Sequence, residues 1–460
     1  MPARTDGGAT TEFSRTIGLQ DLLLMSIGGM IGPAVFYYPA VTSRQAGPAA
    51  VLAWLAAGVG MTAIALCYTE LATAFPREGG PAVFPAETLG KRPIVGRFFA
   101  YIEGVCYVIG WTFGISISAW FVTTYFGQLP GLGGIAGHTV VLPVVAVAAS
   151  FVVTLFGINL TKRTTLVLTA FILAVLVFLV AAGLGDLKSA SGGFTPFFTG
   201  SASEFFGMMG VTLSAYGAWT VIPASAEEIK RPAWTIPRAI LGSLLAVTLL
   251  YTVMMIVFIA VIPTASITAD STVLFAPLSV LAVNVGIGTI GQYLVPLAAL
   301  VAIFTTMLIG ISSSARVLVA MGRQGLLPKA FTTVSTRSGT PVVSVAIVAV
   351  AALGLVLVRG LYDQIVLASL VGTVLPYAIN VLSLIGLRRY RTDVTPTFEA
   401  PGGMALPAIA LIFLGLMVIG LGVEQPFTAV LVLCGVIFTF IILEIITDSS
   451  SPRTVVESDD

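Results

Sequence analysis

Long apolar segments alternate with short polar ones along almost the whole chain. A membrane-spanning helix needs roughly 20 mostly apolar residues. Segments near that length recur twelve times, which predicts an all-α polytopic membrane protein with about twelve transmembrane helices. The predicted spans are about 19–41, 49–74, 95–126, 140–157, 166–184, 205–226, 236–261, 292–319, 341–358, 365–387, 406–421 and 427–446.

The first span is interrupted near its centre by Gly28, Gly29, Gly32 and Pro33. Glycine weakens a helix, and proline removes a backbone donor and clashes with the preceding turn. Broken backbone at membrane depth is tolerated only where it faces protein or a polar cavity. We therefore expect this helix to open near Gly32, so that its freed N–H and C=O groups can bind a ligand. The alternative is a kinked helix whose small residues allow close packing.

The sixth span repeats this feature, with small residues at its centre from Ser214 to Ala218. Five spans separate the start of the first from the start of the sixth, and an odd repeat unit would invert the two halves in the membrane. Paired interrupted segments in corresponding positions point to a transporter with a midplane binding site. The pattern predicts inverted repeats over about 17–184 and 204–388.

Composition and charge agree with this class. The 460 residues are 57% hydrophobic and 9% charged, against about 25% charged in soluble domains. The net charge is +1 and the sequence contains no basic domain, so no nucleic-acid partner is expected. The only histidine, His138, lies in a predicted loop, and Cys67, Cys106 and Cys434 lie in apolar segments. We therefore predict no metal site, no disulfide frame and no cofactor other than a coupling ion.

Lysine and arginine in the loops predict the topology. When the loops are assigned alternately to two sides, one side holds only Arg44, Lys188 and Arg359. The positive-inside rule then places both termini in the cytoplasm of a multi-pass protein in the cell membrane. The expected divisions are a tail at 1–16, a transporter core at 17–402, two further helices at 403–447 and a tail at 448–460.

Several motifs appear in order along the core. They are IGGMIGPAVF at 27–36, YTELATAFPREGGP at 68–81, EEIKRPAWTIPR at 227–238, SARVLVAMGRQGLLP at 314–328, and RRY before FEAPG within 388–402. By these motifs the chain resembles the amino acid–polyamine–organocation (APC) superfamily of permeases. The resemblance implies a leucine-transporter-like fold, a five-plus-five inverted repeat with two extra C-terminal helices. It also implies uptake or exchange of amino acids or related amines.

The chain departs from the family pattern at two places. Family members usually have a small residue, often serine or threonine, where Pro33 stands, and glycine where Ala34 stands. Pro33 has no N–H to offer a carboxylate. In the sixth span, 218–220 replaces the family's Gly-Phe-Glu, which disfavours a proton-coupling acid at that position.

The open ends of interrupted helices predict how an amino acid would bind. A helix N-terminus favours an anion, which places the substrate carboxylate near Gly32 and Ala34. A carbonyl end favours the ammonium, near Ile31 or near 216–218. The predicted substrate-binding residues are Ile31, Gly32, Pro33, Ala34, Tyr107, Tyr216, Gly217, Ala218 and Trp219. Tyr107 is included because it matches a tyrosine that lines the site in family members; ordinary packing is the alternative for each aromatic residue.

No acid or base falls clearly within the inner site, which favours a neutral or zwitterionic amino acid. For coupling, the resemblance to sodium-dependent members suggests a Na⁺ site. Its residues would be Gly28, Ile31, Gly310, Ser313 and Ser314. Oxygen ligands suit a hard cation, and the last three share one helix face. Proton-coupled relatives carry a lysine in the fifth span, and 169–172 contains none.

The alternative coupling ion is H⁺, with Glu103 in the third span as its carrier, since intramembrane acids are functional candidates by default. Glu103 could instead form a salt bridge with Arg77 or Arg97. Four other acids are expected to form salt bridges in an inner gate or in loops. They are Glu70, Glu78, Glu227 and Glu228.

These observations favour a secondary active transporter that works by alternating access in the bilayer. It is expected to be an ion-coupled symporter for neutral amino acids, and to be a monomer or a homodimer. A substrate exchanger for amino acids or polyamines without Na⁺ coupling is the alternative, and a transporter-like sensor is a second. The sequence shows no repeated filter for a channel, no catalytic cluster for an enzyme, and no phosphate-binding loop for an ATP-driven pump.

Overall fold

The apolar segments of the sequence are helices that pack side by side in the computed structural model. It describes residues 9–10, 13–89, 93–136, 140–185, 193–262, 267, 273–274, 276–335, 338–358, 362–420, 437 and 439. The first helices are α1 Leu19–Ile31, α2 Ala34–Ala46, α3 Ala50–Ala74, α4 Gly80–Thr88, α5 Pro93–Gly127, α6 Gly133–Ala136, α7 Val141–Leu155 and α8 Ile158–Leu184. The later ones are α9 Ala202–Leu213, α10 Val221–Ala224, α11 Pro232–Val261, α12 Pro277–Asn284, α13 Gly288–Arg323, α14 Val342–Leu357, α15 Tyr362–Tyr390 and α16 Ala405–Gly420.

The described helices confirm a polytopic all-α protein. Seven helical segments are long and apolar enough to cross a membrane, and four shorter apolar helices accompany them. Large apolar side chains such as Val167 and Leu245 are exposed on the outside of the bundle, as lipid-facing residues would be. The predicted span 427–446 lies outside the described residues except for positions 437 and 439.

Both predicted interruptions are present. α1 ends at Gly32, whose φ of 31° lies in a region that L side chains rarely adopt, and Pro33 precedes α2. In the sixth segment, a 3₁₀ helix at Ser214–Thr220 separates α9 from α10. The prediction that the first span opens near Gly32 is therefore confirmed, and small residues in the sixth segment likewise mark a departure from α-helical geometry.

Helix α4 is one of the short elements that the apolar pattern did not predict. It is short, carries prolines at positions 81 and 85, and follows Gly79 in a left-handed conformation. A β-carbon on Gly79 would lie 2.3 Å from that of Ala320, so only glycine lets this turn approach α13. The turn thereby brings Glu78 beside the end of α13.

The long helices α5 and α13 cross the middle of the bundle and hold the interrupted helices in place. α5 packs against both α13 and α15, and its backbone touches that of α15 where Gly110 meets Gly372. Small residues allow membrane helices to pack this closely. α1 packs against α8, α11, α13 and the 3₁₀ helix, so the two interruptions lie inside the bundle.

The strands of the described residues are one short antiparallel pair, Ala9–Thr10 with Val334–Ser335. This pairing ties the segment before α1 to the segment after α13.

Candidate substrate site

The two interrupted segments meet directly. A β-carbon built on Gly29 would lie 2.8 Å from the β-carbon of Ala218 and 3.1 Å from Cδ1 of Ile309. Only glycine allows α1 to lie this close to the 3₁₀ helix and to α13. The predicted residues Ile31, Gly32, Pro33 and Ala34 therefore lie beside the segment that contains Gly217 and Ala218.

Side chains already satisfy two carbonyl groups at the end of α1. Thr306 Oγ1 donates to the Gly29 carbonyl at 3.2 Å, and the Tyr251 hydroxyl donates to the Met30 carbonyl at 2.7 Å. The Ile31 carbonyl comes next, at the break itself. On the other side of the break, the Phe36 N–H donates to the Pro33 carbonyl at 3.1 Å, whereas the N–H groups of Ala34 and Val35 come too early in α2 to find an acceptor within the helix. The break therefore presents carbonyl and N–H ends close together, as an ammonium and a carboxylate would require.

Partly exposed residues reach this break along α2. Ala34, Tyr37 and Tyr38 are half-buried, as are Ser214 and Gly217 of the 3₁₀ helix. The Tyr38 hydroxyl lies 3.4 Å from Ser214 Oγ, so the two interrupted segments are also joined on this side. The residues on the α2 side of the break are thus less completely buried than those on the α1 side.

Tyr107 joins three elements at the site. Its hydroxyl lies 2.6 Å from Ser313 Oγ and donates to Thr220 Oγ1 at 3.1 Å. Thr220 Oγ1 in turn donates to the Gly217 carbonyl. Tyr107 therefore couples α5 and α13 to the 3₁₀ helix, which is consistent with its predicted position at the site.

Trp219 lies in an aromatic layer with Tyr68 and Tyr377. Its ring stacks on Tyr377 at a centroid distance of 5.9 Å and meets Tyr68 edge-on at 5.0 Å. The Tyr377 hydroxyl donates to the Gly217 carbonyl at 3.2 Å. Within the described chain, the buried indole Nε1–H of Trp219 has no hydrogen-bond partner. It is a donor available to a substrate or water.

Tyr216 lies away from this layer. Its ring packs against Trp54 and Tyr251, and its hydroxyl donates to the Trp54 carbonyl at 2.9 Å. The side chain is therefore a support behind the break rather than the substrate-binding side chain that the sequence predicted. A 3₁₀ segment turns neighbouring side chains to different sides, which sequence spacing alone did not resolve.

The residues suggested for a Na⁺ site differ in what surrounds them within the bundle. Gly28 faces Thr169 and Thr305, whereas Gly310 faces Trp111 and Ile115 on α5. Ser313 Oγ is bonded to Tyr107, and Ser314 Oγ is buried without a partner in the described part of the chain. The Cα atom of Gly310 and the Ser313 hydroxyl thus face α5 rather than α1.

Thr169 occupies the neighbourhood where the resemblance implies a lysine in proton-coupled relatives. Its Oγ1 lies so close to Gly28 that an added β-carbon would be 2.0 Å away. The hydroxyl is buried and lacks a hydrogen-bond partner among the described residues. A small side chain at this position thus lets α1 pack tightly against α8.

Glu103 is fully buried and is held by an amide. Its Oε1 accepts from Asn380 Nδ2 at 3.1 Å, and Asn380 also donates to the Tyr68 hydroxyl at 3.0 Å. Glu103 Oε2 has no partner within the described ranges. The suggested salt bridges with arginine are wrong, because Arg77 pairs with Glu87 and Arg97 donates to the Gln324 carbonyl.

Asn380 and Tyr68 were not among the residues selected from the sequence. Asn380 is a polar side chain inside the tenth apolar segment, and this was the signal that could have identified it. Its carboxamide connects Glu103 to Tyr68, and Tyr68 touches Trp219. Glu103 also lies one helical turn from Tyr107 on the same face of α5. The acid is therefore linked to the site through side chains.

The opposite side of the break is closed by buried ion pairs. Arg316 Nε lies 2.5 Å from Glu228 Oε1 and 3.0 Å from Glu78 Oε1, and all three residues are buried. The backbone N–H groups of Thr16 and Ile17 donate to the Glu228 carbonyl. We call these residues, with 225–230, the Arg316 gate.

The other two predicted acids also have arginine partners. Glu70 pairs with Arg388 at 2.5 Å, and Glu227 pairs with Arg323 at 2.7 Å. The prediction that these glutamates form salt bridges is therefore confirmed. Ile17 and Ile229 are fully buried at the gate, so solvent does not reach the start of α1 there.

Comparison with known proteins agrees with this architecture. A family model described as "amino acid permease" matches residues 17–447. A branched-chain amino acid permease of Bacillus subtilis (strain 168) is 26% identical over 434 residues, 89% of each chain. A methylthioribose transporter of the same organism is 26% identical over 87% of each chain. Cationic amino acid transporter 7, chloroplastic, of Arabidopsis thaliana is 30% identical over 83% of this chain and 66% of its own length. The chain therefore belongs to the amino acid permease family, whose members are membrane transporters rather than enzymes.

Proposed function

We propose that the protein is a secondary transporter that moves neutral amino acids across the cell membrane by alternating access. The observation that carries this proposal is the contact between two interrupted helices inside the bundle, at Gly29 and Ala218. Their break is reached by partly exposed residues on one side and closed by the Arg316 gate on the other. The distribution of lysine and arginine supports a cytoplasmic position for the gate.

The charge of the lining supports a neutral substrate. The described residues at the two breaks, from Gly28 to Ala34 and from Ser214 to Thr220, are uncharged. The α-carboxylate would bind the first N–H groups of α2, and the α-ammonium the Ile31 carbonyl. A cationic side chain would need an opposing buried charge, and the Glu103 carboxylate is turned to Asn380.

Uptake into proteoliposomes tests the substrate. We expect a labelled branched-chain amino acid to accumulate and an excess of unlabelled leucine, but not arginine, to compete. Competition by arginine at equal concentration would contradict the neutral class. Uptake that occurs only after the vesicles are preloaded with substrate would instead indicate an exchanger, and ligand binding without any flux would indicate a sensor.

Glu103 supports H⁺ as the coupling ion. Its carboxyl group is buried within the bundle, and among the described residues it has one hydrogen-bond donor, the neutral Asn380. An ionised carboxylate in such surroundings is costly, whereas a protonated one needs no counter-charge. Gly310 and Ser313 face α5, so their positions give no comparable support for Na⁺. We propose that Glu103 carries the proton.

Glu103→Gln is therefore expected to abolish accumulation driven by a pH gradient, because glutamine keeps the hydrogen bond to Asn380 but cannot release a proton. Exchange of labelled for unlabelled substrate should remain within about threefold of wild type, since binding needs no net proton movement. The pH-driven accumulation and the substrate exchange are measured in the same proteoliposomes. Glu399→Gln, at an exposed glutamate, is the control and should accumulate substrate normally. Normal pH-driven accumulation by Glu103→Gln, or accumulation driven by a Na⁺ gradient alone, would contradict H⁺ coupling at this residue.

A further inference from the structure

The Arg316 gate contains one more buried carboxylate than buried cation. Glu78 and Glu228 both face Arg316 Nε, at 3.0 and 2.5 Å. Within the described residues, Arg316 is the one cation paired with either of them. Glu227, the next acid of the same segment, has its own partner in Arg323.

The hydrogen bonds of Arg316 are unequally divided. Its Nε donates to Glu228, and its Nη1 donates to the carbonyl and hydroxyl of Ser312 in the preceding turn of α13. Both oxygens of Glu78 are buried, and neither has a hydrogen bond in the described part of the chain. One guanidinium carries a single positive charge and cannot neutralise two carboxylates, and an uncompensated buried charge is costly.

Two carboxyl groups that converge on one donor commonly share a proton. We propose that the closed Arg316 gate binds one proton between Glu78 and Glu228, and that opening the gate to water releases it. In the closed state Glu78 donates its O–H to a Glu228 oxygen, and the cluster of one arginine, one carboxylate and one carboxylic acid is neutral. In the open state both carboxylates are hydrated, and the proton passes to the adjacent aqueous phase. The inference rests on the proposed alternating access, because it concerns the opening of one gate.

The charged groups around Glu78 fix the direction of the pH effect. Burial and the neighbouring carboxylates Glu228 and Glu227 raise the pKa of Glu78 well above its ordinary value, while Arg316 opposes them. The closed gate then binds the proton more tightly than the open gate. The contribution of the bound proton to gate closure is complete below the ordinary pKa of a hydrated carboxyl group. It is lost as the pH rises through the raised pKa of Glu78 in the closed state. Alkaline conditions on this side should therefore favour opening.

Amide hydrogen exchange can follow the gate without any substrate. The N–H groups of Thr16 and Ile17 donate to the Glu228 carbonyl, and that of Lys230 donates to the Ile17 carbonyl. We would measure their exchange in the full-length protein in lipid nanodiscs, dividing each rate by the intrinsic chemical rate at that pH. For release of one proton, protection should fall by up to about tenfold per pH unit.

Glu78→Gln mimics the protonated acid, because its amide can donate to Glu228 at all pH values. We expect its gate amides to stay protected, with no dependence on pH over the range in which wild type loses protection. Glu399→Gln, at an exposed glutamate outside the gate, is the control and should keep the wild-type dependence of protection on pH. If protection in Glu78→Gln fell with pH as it does in wild type, the proposal would be overturned. Loss of protection at every pH would overturn it as well.

A second variant keeps the test decisive if Glu78→Gln does not fold. Glu228→Gln removes the other carboxylate, so that of the two glutamates only Glu78 still faces Arg316. This variant should also lose the dependence of protection on pH. If the protection of the gate amides in Glu228→Gln still depended on pH, the proposal would be overturned. Because the exchange measurement contains no substrate, its result is independent of the uptake assay. The pH dependence can be absent while transport is observed, and it can be present while no amino acid is taken up.

Discussion

Arg316→Ala is expected to lower the free energy of unfolding by about 3–5 kcal/mol. The guanidinium is buried between Glu78 and Glu228, so its removal leaves the negative charge of this buried carboxyl pair without a cation. It also removes the hydrogen bonds by which Ser312, one turn earlier in α13, holds the guanidinium. Reversible unfolding in bicelles would measure the loss, and uptake should fall to background because the gate cannot stay closed.

Arg323→Ala is the matched control on the same helix. The Arg323 side chain is 26% exposed, and its partner Glu227 is 29% exposed. Solvent screens such a pair, so the expected loss is at most about 1 kcal/mol. Adding Glu78→Gln and Glu228→Gln to Arg316→Ala should recover part of the stability by removing the unpaired charges. Equal losses for the two arginine variants, or no recovery, would contradict the assignment of a buried charge cluster.

Gly29→Leu is expected to reduce uptake to less than a tenth of wild type. Even a β-carbon at this position would lie 2.8 Å from Ala218, and leucine adds three further carbon atoms. Overpacking a dense interior costs about 1–3 kcal/mol, which leaves the helices able to form but not to make this contact. Uptake and size-exclusion profiles of the same preparation would separate loss of function from loss of folding.

Gly354→Leu is the control for this substitution. Gly354 also lies in a helix of the bundle, α14, but a β-carbon built on it meets no atom within 4 Å. Its uptake should be close to that of wild type. Gly29→Ala should fall between wild type and Gly29→Leu, because one methyl group needs a smaller shift. Normal uptake by Gly29→Leu would mean that the two interrupted segments do not have to touch for transport.

The apolar pattern predicted most helix positions, because a span must be long and apolar to lie in hydrocarbon. α5, α11 and α13 begin and end within about four residues of the predicted spans 95–126, 236–261 and 292–319. The interruption at Gly32 was also predicted from local chemistry, since glycine and proline change the backbone wherever they occur.

The chain's motifs identified the family and the acids of the gate. Glu78, Glu227 and Glu228 were expected in salt bridges, and each faces an arginine of α13. Such pairs can be anticipated because a glutamate at the end of an apolar segment needs a cation if it is buried. The sequence could not tell that Glu78 and Glu228 would face the same arginine.

The pairing of side chains between distant elements was decided by the tertiary structure. Glu103 meets Asn380, 277 positions later, rather than the nearby Arg97. Tyr216 faces Trp54 instead of the site, and Gly310 faces α5 instead of α1. Hydrophobic periodicity specifies that a helix forms and roughly where it ends. The rotation of each helix about its axis depends on contacts with neighbours far away in the chain, and those contacts determine which polar groups meet in the site.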